Sequence, residues 1–120
     1  MTIRSFTDLD AWKEARILTI AIYRATKTFP ADEKFALTNQ IRRAAISVIS
    51  NIAEGFGRNT AKDKSHFYAL AKGSLLELQS QIIISNDLSY LDEKTQSELE
   101  NQIVRVAKLL GGLIRSAMDK

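Results

Sequence analysis

The sequence predicts an all-α fold, an up-down antiparallel four-helix bundle, and three observations lead to it. The 120 residues include one proline and five glycines, so few positions interrupt a helix. No run alternates apolar with polar residues at the period of a strand. Long segments instead carry apolar residues at helical spacing, and short connections favour antiparallel packing of sequential helices. We expect one domain over residues 1–120.

The first and third expected helices begin with recognisable capping patterns. Thr7 can cap the first helix, which stops at the Phe29-Pro30 pair. Thr60, with Asp63 three residues later, is a second capping pattern. The expected helices cover about 8–28, 32–55, 61–89 and 92–118.

Helices three and four have the pattern of ordinary bundle helices, with one apolar stripe each. The stripe of helix three consists of Phe67, Leu70, Ala71, Leu78, Ile82 and Leu88. The stripe of helix four consists of Leu99, Ile103, Val106, Leu110, Leu113 and Ala117.

Helices one and two carry more apolar surface than a monomeric bundle needs. In helix two, the core stripe is Leu37, Ile41, Ala44, Val48 and Ile52, and a second band beside it is Phe35, Ile46, Ile49 and Ala53. Scattered surface hydrophobes are the alternative explanation. We predict self-association, with helices one and two supplying much of the interface.

Positive charge is concentrated in one part of the chain. The protein has 17 Lys and Arg against 14 Asp and Glu, a net charge of +3. The segment from residue 42 to residue 64 contains five Lys and Arg against two Asp and Glu, so its net charge of +3 equals that of the whole chain. The cations there are candidate nucleic-acid contacts, although such clusters are also common on solvated surfaces. They are Arg42, Arg43, Arg58, Lys62 and Lys64.

Short polar residues line one arc of helix two, where long charged ones would be usual. Ser47, Asn51 and Glu54 lie on this arc, and Gly73 and Glu77 lie together on helix three. One hypothesis is a structural polar seam that fixes the helix register. The other is a ligand or nucleic-acid surface with Arg43 and Arg58 at phosphates. On the seam hypothesis, replacing Asn51 or Glu54 by Leu disturbs packing.

The residues offer little for catalysis. His66 is the single histidine, no cysteine is present, and the Gly55–Asn59 stretch lacks a phosphate-binding lysine and a preceding strand. We expect no enzyme activity, no cofactor and no metal. No secretory or membrane-spanning pattern is present either, so we expect a cytoplasmic protein without membrane partners.

Four stretches resemble a known bacterial family. "FTDLDAW", "IYRATKTFP", "QIRRAAISVISNIAEGFGR" and "FYALAKGSLLELQSQ" are similar to the four-helix-bundle proteins first noticed as reading frames in intervening sequences of 23S rRNA genes. The resemblance implies a ring of five identical subunits. It also implies kinship with accessory proteins of diversity-generating retroelements, which bind nucleic acid and a reverse transcriptase. In that pattern Asn51, Glu54, Gly55, Gly73 and Glu77 recur together, which fits a seam between helices two and three.

Two classes of function follow. The first is an oligomeric accessory or scaffold that binds RNA or DNA and acts beside a nucleic-acid enzyme. The second is a structural or protein-interaction module with no nucleic-acid affinity.

Overall fold

The structure is a computed structural model that describes residues 2–118, and it is all-helical, as predicted. Two short 3-10 turns, Phe6–Asp8 and Ala31–Glu33, accompany four α-helices, and no strand occurs within residues 2–118. The helices are α1 (Asp10–Thr26), α2 (Leu37–Phe56), α3 (Ala61–Asp87) and α4 (Glu93–Met118).

Sequential helices pack against each other, and α4 returns to pack against α1. The molecule measures 45 × 25 × 20 Å, which is the elongated shape of a bundle. In this arrangement α1 and α3 lie diagonally across the bundle, each between α2 and α4. No helix within residues 2–118 is both long and apolar enough to cross a bilayer.

The cap of α3 agrees with the sequence pattern, and α4 is also capped. The Thr60 hydroxyl accepts a hydrogen bond of 3.1 Å from the Asp63 backbone N–H. The Asp92 carboxylate accepts one of 2.7 Å from the Thr95 backbone N–H. This hydrogen bond is the main reason why the pKa of Asp92 lies below its ordinary value. Both caps satisfy N–H groups that a helix leaves without internal partners.

The start of the first helix differs from the expectation. Thr7 does not cap α1, because it lies inside the 3-10 turn Phe6–Asp8. Ser5 and Asp8 form a capping box around that turn instead, and α1 begins only at Asp10. The Asp8 carboxylate accepts backbone hydrogen bonds from Arg4 and Ser5, which lower its pKa.

The second helix begins at Leu37 rather than at Asp32. The intervening residues form a 3-10 turn after Pro30, and tertiary contacts hold this connection against the one between α3 and α4. The Tyr90 hydroxyl donates a 2.8 Å hydrogen bond to the Glu33 carboxylate, and the rings of Phe29 and Tyr90 lie 5.2 Å apart. Glu33 therefore accepts this hydrogen bond from a position in the 3-10 turn and not in an α-helix.

Each helix contributes fully buried residues to one core. Leu18 and Ile22 of α1 meet residues of the stripes predicted for α2 and α4. In α2 all of the predicted stripe except the half-buried Leu37 is buried. In α4 only Leu113 of the predicted stripe is half-buried. The apolar stripes of these two helices are therefore confirmed.

The predicted stripe of α3 is wrong at two of its six positions. Leu70 and Leu88 were expected in the core, but both are exposed. Tyr68 and Leu75 are buried instead. The reason is that α3 has apolar residues around its whole circumference, so its sequence alone does not indicate which side faces the core.

Candidate functional site

The five candidate basic residues do not form a single patch. Arg42 and Arg43 lie in the first half of α2, whereas Arg58, Lys62 and Lys64 lie around the connection from α2 to α3. Arg43 and Arg58 are 15 residues apart, about 22 Å along a helix. The five candidate cations are thus divided between two regions of the bundle.

Arg42 is engaged at the carboxyl end of α1. Its Nε donates a 2.9 Å hydrogen bond to the Thr26 hydroxyl, and its Nη2 donates one of 3.3 Å to the Tyr23 carbonyl. The guanidinium carbon lies 4.7 Å from the centre of the Tyr23 ring. A cation at the carboxyl end of a helix compensates its unsatisfied carbonyl groups. Arg42 therefore has a structural role that joins α2 to α1.

Lys64 has the same role at the end of α2. Its Nζ donates hydrogen bonds of 2.7 Å to the Phe56 carbonyl and 3.4 Å to the Gly55 carbonyl. The helix Leu37–Phe56 ends at these carbonyls, and the Gly55 carbonyl also accepts a 3.2 Å hydrogen bond from the Arg58 backbone N–H. Lys64 is consequently half-buried and turned toward its own bundle.

Arg58 lies between two helices. Its Nη2 is 3.6 Å from the Glu54 carboxylate, so the ion pair suggested by the four-residue spacing is present. The guanidinium carbon lies 4.4 Å from the centre of the Phe67 ring on α3. Its Nε is buried and has no hydrogen-bond partner within residues 2–118. Stacking on Phe67 leaves only part of the guanidinium accessible to a ligand.

Arg43 and Lys62 are the two candidates that remain accessible. Both side chains are exposed, and neither forms a hydrogen bond or an ion pair with any residue between 2 and 118. They are the members of the predicted set that can reach an external phosphate without breaking a contact of the fold.

The polar residues predicted as a seam are only partly brought together. The Oγ atoms of Ser47 and Ser74 share a 2.7 Å hydrogen bond between α2 and α3. The Asn51 amide donates to the Ser47 carbonyl at 2.8 Å and to its Oγ at 3.1 Å. The buried Gly55 packs directly against the Tyr68 ring. A short seam between α2 and α3 therefore exists around Ser47, Asn51 and Ser74.

The other proposed seam residues point to solvent. The Glu54 side chain is 54% exposed, and Glu77 is exposed and accepts a 3.2 Å hydrogen bond from Gln81 of its own helix. A Cβ atom added to Gly73 would meet no atom within 4 Å. Gly73 is thus not a point of close approach between helices of the described bundle.

The exposed apolar residues concentrate on α1 and α3. We define the α1 face by Ile17, Ile20 and Tyr23, and the α3 face by Leu70, Leu76, Ile83, Ile84 and Leu88. Ile46 is the large exposed hydrophobe of α2. The expectation that α1 and α2 carry the apolar excess is therefore correct for α1 and wrong for α2.

The second apolar band predicted for α2 is dispersed in the structure. Phe35 precedes the helix and is 86% exposed, while Ile49 and Ala53 are half-buried beside the core. The adjacent apolar residues Leu75-Leu76 and Ile82-Ile83-Ile84 were the overlooked signal for α3. Neighbouring residues on a helix point about 100° apart, so such runs cannot all face one core.

The single histidine of the chain lies on the surface of the bundle. His66 is exposed, and its ring lies 5.2 Å from that of Phe67. Within residues 2–118 no three His, Cys, Asp or Glu side chains are grouped so that they could hold a metal ion. An open groove of about 490 Å³ lies between α1 and α4 and is lined by Ile17, Ala21, Leu99 and Gln102 among others.

Comparisons with known proteins agree with this fold. The family model described as 23S rRNA-intervening sequence protein matches residues 7–112. A crystal structure of a protein of unknown function from the S23 ribosomal protein family of Bacteroides thetaiotaomicron superposes with a TM-score of 0.80 at 19% sequence identity. The superposition covers 88% of this chain and 95% of that one. No curated protein matches the sequence.

Proposed function

The chain belongs to the 23S rRNA-intervening sequence protein family, and from this premise we propose that it is a non-enzymatic interaction module that assembles with further copies of itself. The α1 and α3 faces carry the proposal. Together they carry eight large apolar side chains, each between 39% and 58% exposed. Groups of exposed apolar side chains are typical of protein interfaces.

We further propose a closed ring of five subunits, the number implied by the family resemblance. Native mass spectrometry at micromolar concentration tests the assembly. The expected result is a species at five times the 13.4 kDa mass of one chain. A smaller or larger closed multiple would change the subunit number but retain self-assembly. A sole species at 13.4 kDa would contradict the proposal.

Nucleic-acid binding is the second candidate function, and the accessibility of Arg43 and Lys62 favours it. Two cations per subunit bind a phosphate backbone weakly, but a ring repeats them and raises their effective concentration along one polymer. Such binding has little sequence preference, since no element resembles a base reader. Electrophoretic mobility shift with a labelled strand at ~50 mM salt tests it. An unshifted strand at tens of micromolar protein would leave the interaction module as the sole function.

A further inference from the structure

The outer side of α1 combines apolar residues with cations. Lys13, Arg16, Arg24 and Lys27 are all exposed. At about 100° per residue they share one arc of roughly 120° with Ile17, Ile20 and Tyr23. Of the acidic residues of the same helix, Glu14 lies about 60° outside this arc, and the exposed Asp10 lies about 20° beyond its edge at Ile17. Glu14 is half-buried and forms a 3.2 Å ion pair with Arg105 of α4.

The outer side of α3 has the opposite character. Glu77 and Asp87 are exposed beside the apolar residues of the α3 face. The sequence from Gly73 to Leu88 contains no Lys or Arg, and the exposed Lys72 lies one turn before Leu76 on the same side of the helix. The exposed apolar side chains Ile83 and Ile84 lie between the two carboxylates along the helix. This surface therefore carries two carboxylates and one cation among its apolar residues, whereas the arc of α1 carries four cations and no carboxylate.

We infer that the α1 face of one protomer packs against the α3 face of the next copy, in a head-to-tail contact. This inference rests on the proposed self-assembly and names the two surfaces that form it. A contact of α1 with α1 would set cations against cations, and a contact of α3 with α3 would set carboxylates against carboxylates. Like charges at an interface oppose association, whereas complementary charges orient it.

The positions of the two faces fit this arrangement. Because α1 and α3 lie diagonally in the bundle, their faces point in opposite directions. A head-to-tail contact uses one face of each kind and leaves the other free, so each copy can bind two neighbours, and the assembly closes into a ring when the rotation between successive copies permits it. The two helices also run in the same direction, because each is antiparallel to α2.

The charge spacing is compatible with a parallel pairing of the two helices. Arg16 and Lys27 lie 11 residues apart, about 16 Å at the rise of an α-helix. Glu77 and Asp87 lie 10 residues apart, about 15 Å. Both cations can therefore meet a carboxylate of the neighbouring copy at once. Exposed ion pairs add little affinity, so we assign the affinity to the apolar residues and the choice of partner to the charges.

Two face-blocked variants test the inference. The first carries Ile20→Glu and Arg24→Glu on the α1 face. The second carries Gly73→Arg and Ile83→Lys on the α3 face. Ile20 and Ile83 are exposed, and a Cβ at Gly73 meets nothing within 4 Å, so both variants should retain the bundle. Asn101→Glu with Lys108→Glu on the exposed side of α4 is a control that matches the charge change of the first variant.

Each blocked variant alone should sediment as a monomer of about 13.4 kDa, and the control should assemble like the parent. A mixture of the two variants should form a one-to-one dimer and nothing larger, because each supplies the face that the other lacks. Dimers of either variant alone, or a mixture that stays monomeric although the parent assembles, would overturn the pairing and leave self-assembly standing. A monomeric parent would overturn the proposed function as well.

Charge reversal provides an independent measurement with exposed residues only. Arg16→Glu with Lys27→Glu, and separately Glu77→Lys with Asp87→Lys, should each weaken assembly at least tenfold at low salt. A single chain that carries all four substitutions should recover assembly, since the attraction is restored with reversed signs. Failure of the fourfold variant to recover, while it retains the helical content of the parent, would contradict the charge pairing.

Discussion

Gly55 of α2 and Tyr68 of α3 are so close that a Cβ atom on Gly55 would lie 2.6 Å from Cε1 of Tyr68. The Tyr68 ring is buried, so it has little freedom to move away. The missing side chain at position 55 therefore sets the distance between the two helices near the connection that joins them.

Gly55→Ala should destabilise the protein despite the better helix propensity of Ala. Overpacking of a buried site costs about 1–3 kcal/mol, whereas the propensity gain is at most about 1 kcal/mol. Gly73→Ala is the matched control, because its Cβ meets no atom of the bundle and only the propensity gain applies. Urea denaturation of the two variants in the same oligomeric state compares their free energies of unfolding. Equal midpoints for the two variants would contradict the role of Gly55.

Arg42→Ala should lower the free energy of unfolding by about 1–2 kcal/mol. The substitution removes charged hydrogen bonds to the Thr26 hydroxyl and the Tyr23 carbonyl. Arg43→Ala is the neighbouring control and should change stability by less than about 0.5 kcal/mol, because its side chain is exposed. Thermal unfolding followed by circular dichroism distinguishes them. Equal melting temperatures for both variants would show that Arg42 does not stabilise the end of α1.

Asn51→Leu should be more damaging than Glu54→Leu, although the sequence suggested a similar role for both residues. The Asn51 amide bonds the Ser47 carbonyl and hydroxyl in the half-buried seam, so its loss costs about 1 kcal/mol. The Glu54 side chain is largely exposed, and its ion pair with Arg58 contributes little. Chemical denaturation of the two variants measures the difference. A larger loss of stability for Glu54→Leu would indicate that the stabilising seam lies nearer the end of α2 than Asn51.

Asp92 should make the stability of the protein depend on acidic pH. Its folded-state pKa lies below its ordinary value of 3.8, because the carboxylate accepts the Thr95 hydrogen bond. The stabilisation is therefore present above 3.8 and is lost as the pH falls through the folded-state pKa. Asp92→Asn keeps a capping oxygen that does not titrate. Its melting temperature should fall less than that of the parent between pH 5 and roughly pH 2.5, and parallel curves would contradict the assignment.

Arg43→Ala with Lys62→Ala should lower nucleic-acid affinity and reduce its salt dependence. Each phosphate contact that is lost removes about 0.9 from the logarithmic salt slope for duplex DNA. Lys94→Ala with Lys108→Ala removes two exposed cations from α4 and matches the change in net charge. Fluorescence anisotropy across a salt series compares the pairs. An equal loss in both would mean that net charge, rather than these two positions, determines the binding.

The sequence by itself determined the helical fold and the core sides of α2 and α4. Both helices have apolar residues on one side and polar residues on the other, so their periodicity identifies the buried side without knowledge of neighbours. The cap at Thr60 was also predictable from the sequence, because a cap is a local interaction between residues three apart.

Only the tertiary structure decided the orientation of α3 and the roles of the basic residues. Periodicity describes a helix relative to its own axis, and α3 is apolar all round, so neighbouring helices select the buried side. Arg42 and Lys64 find their partners at the ends of other helices, where unsatisfied carbonyls attract a cation. Since such partners come together only when the helices pack, the sequence identified a basic cluster but not which of its members remain free to bind.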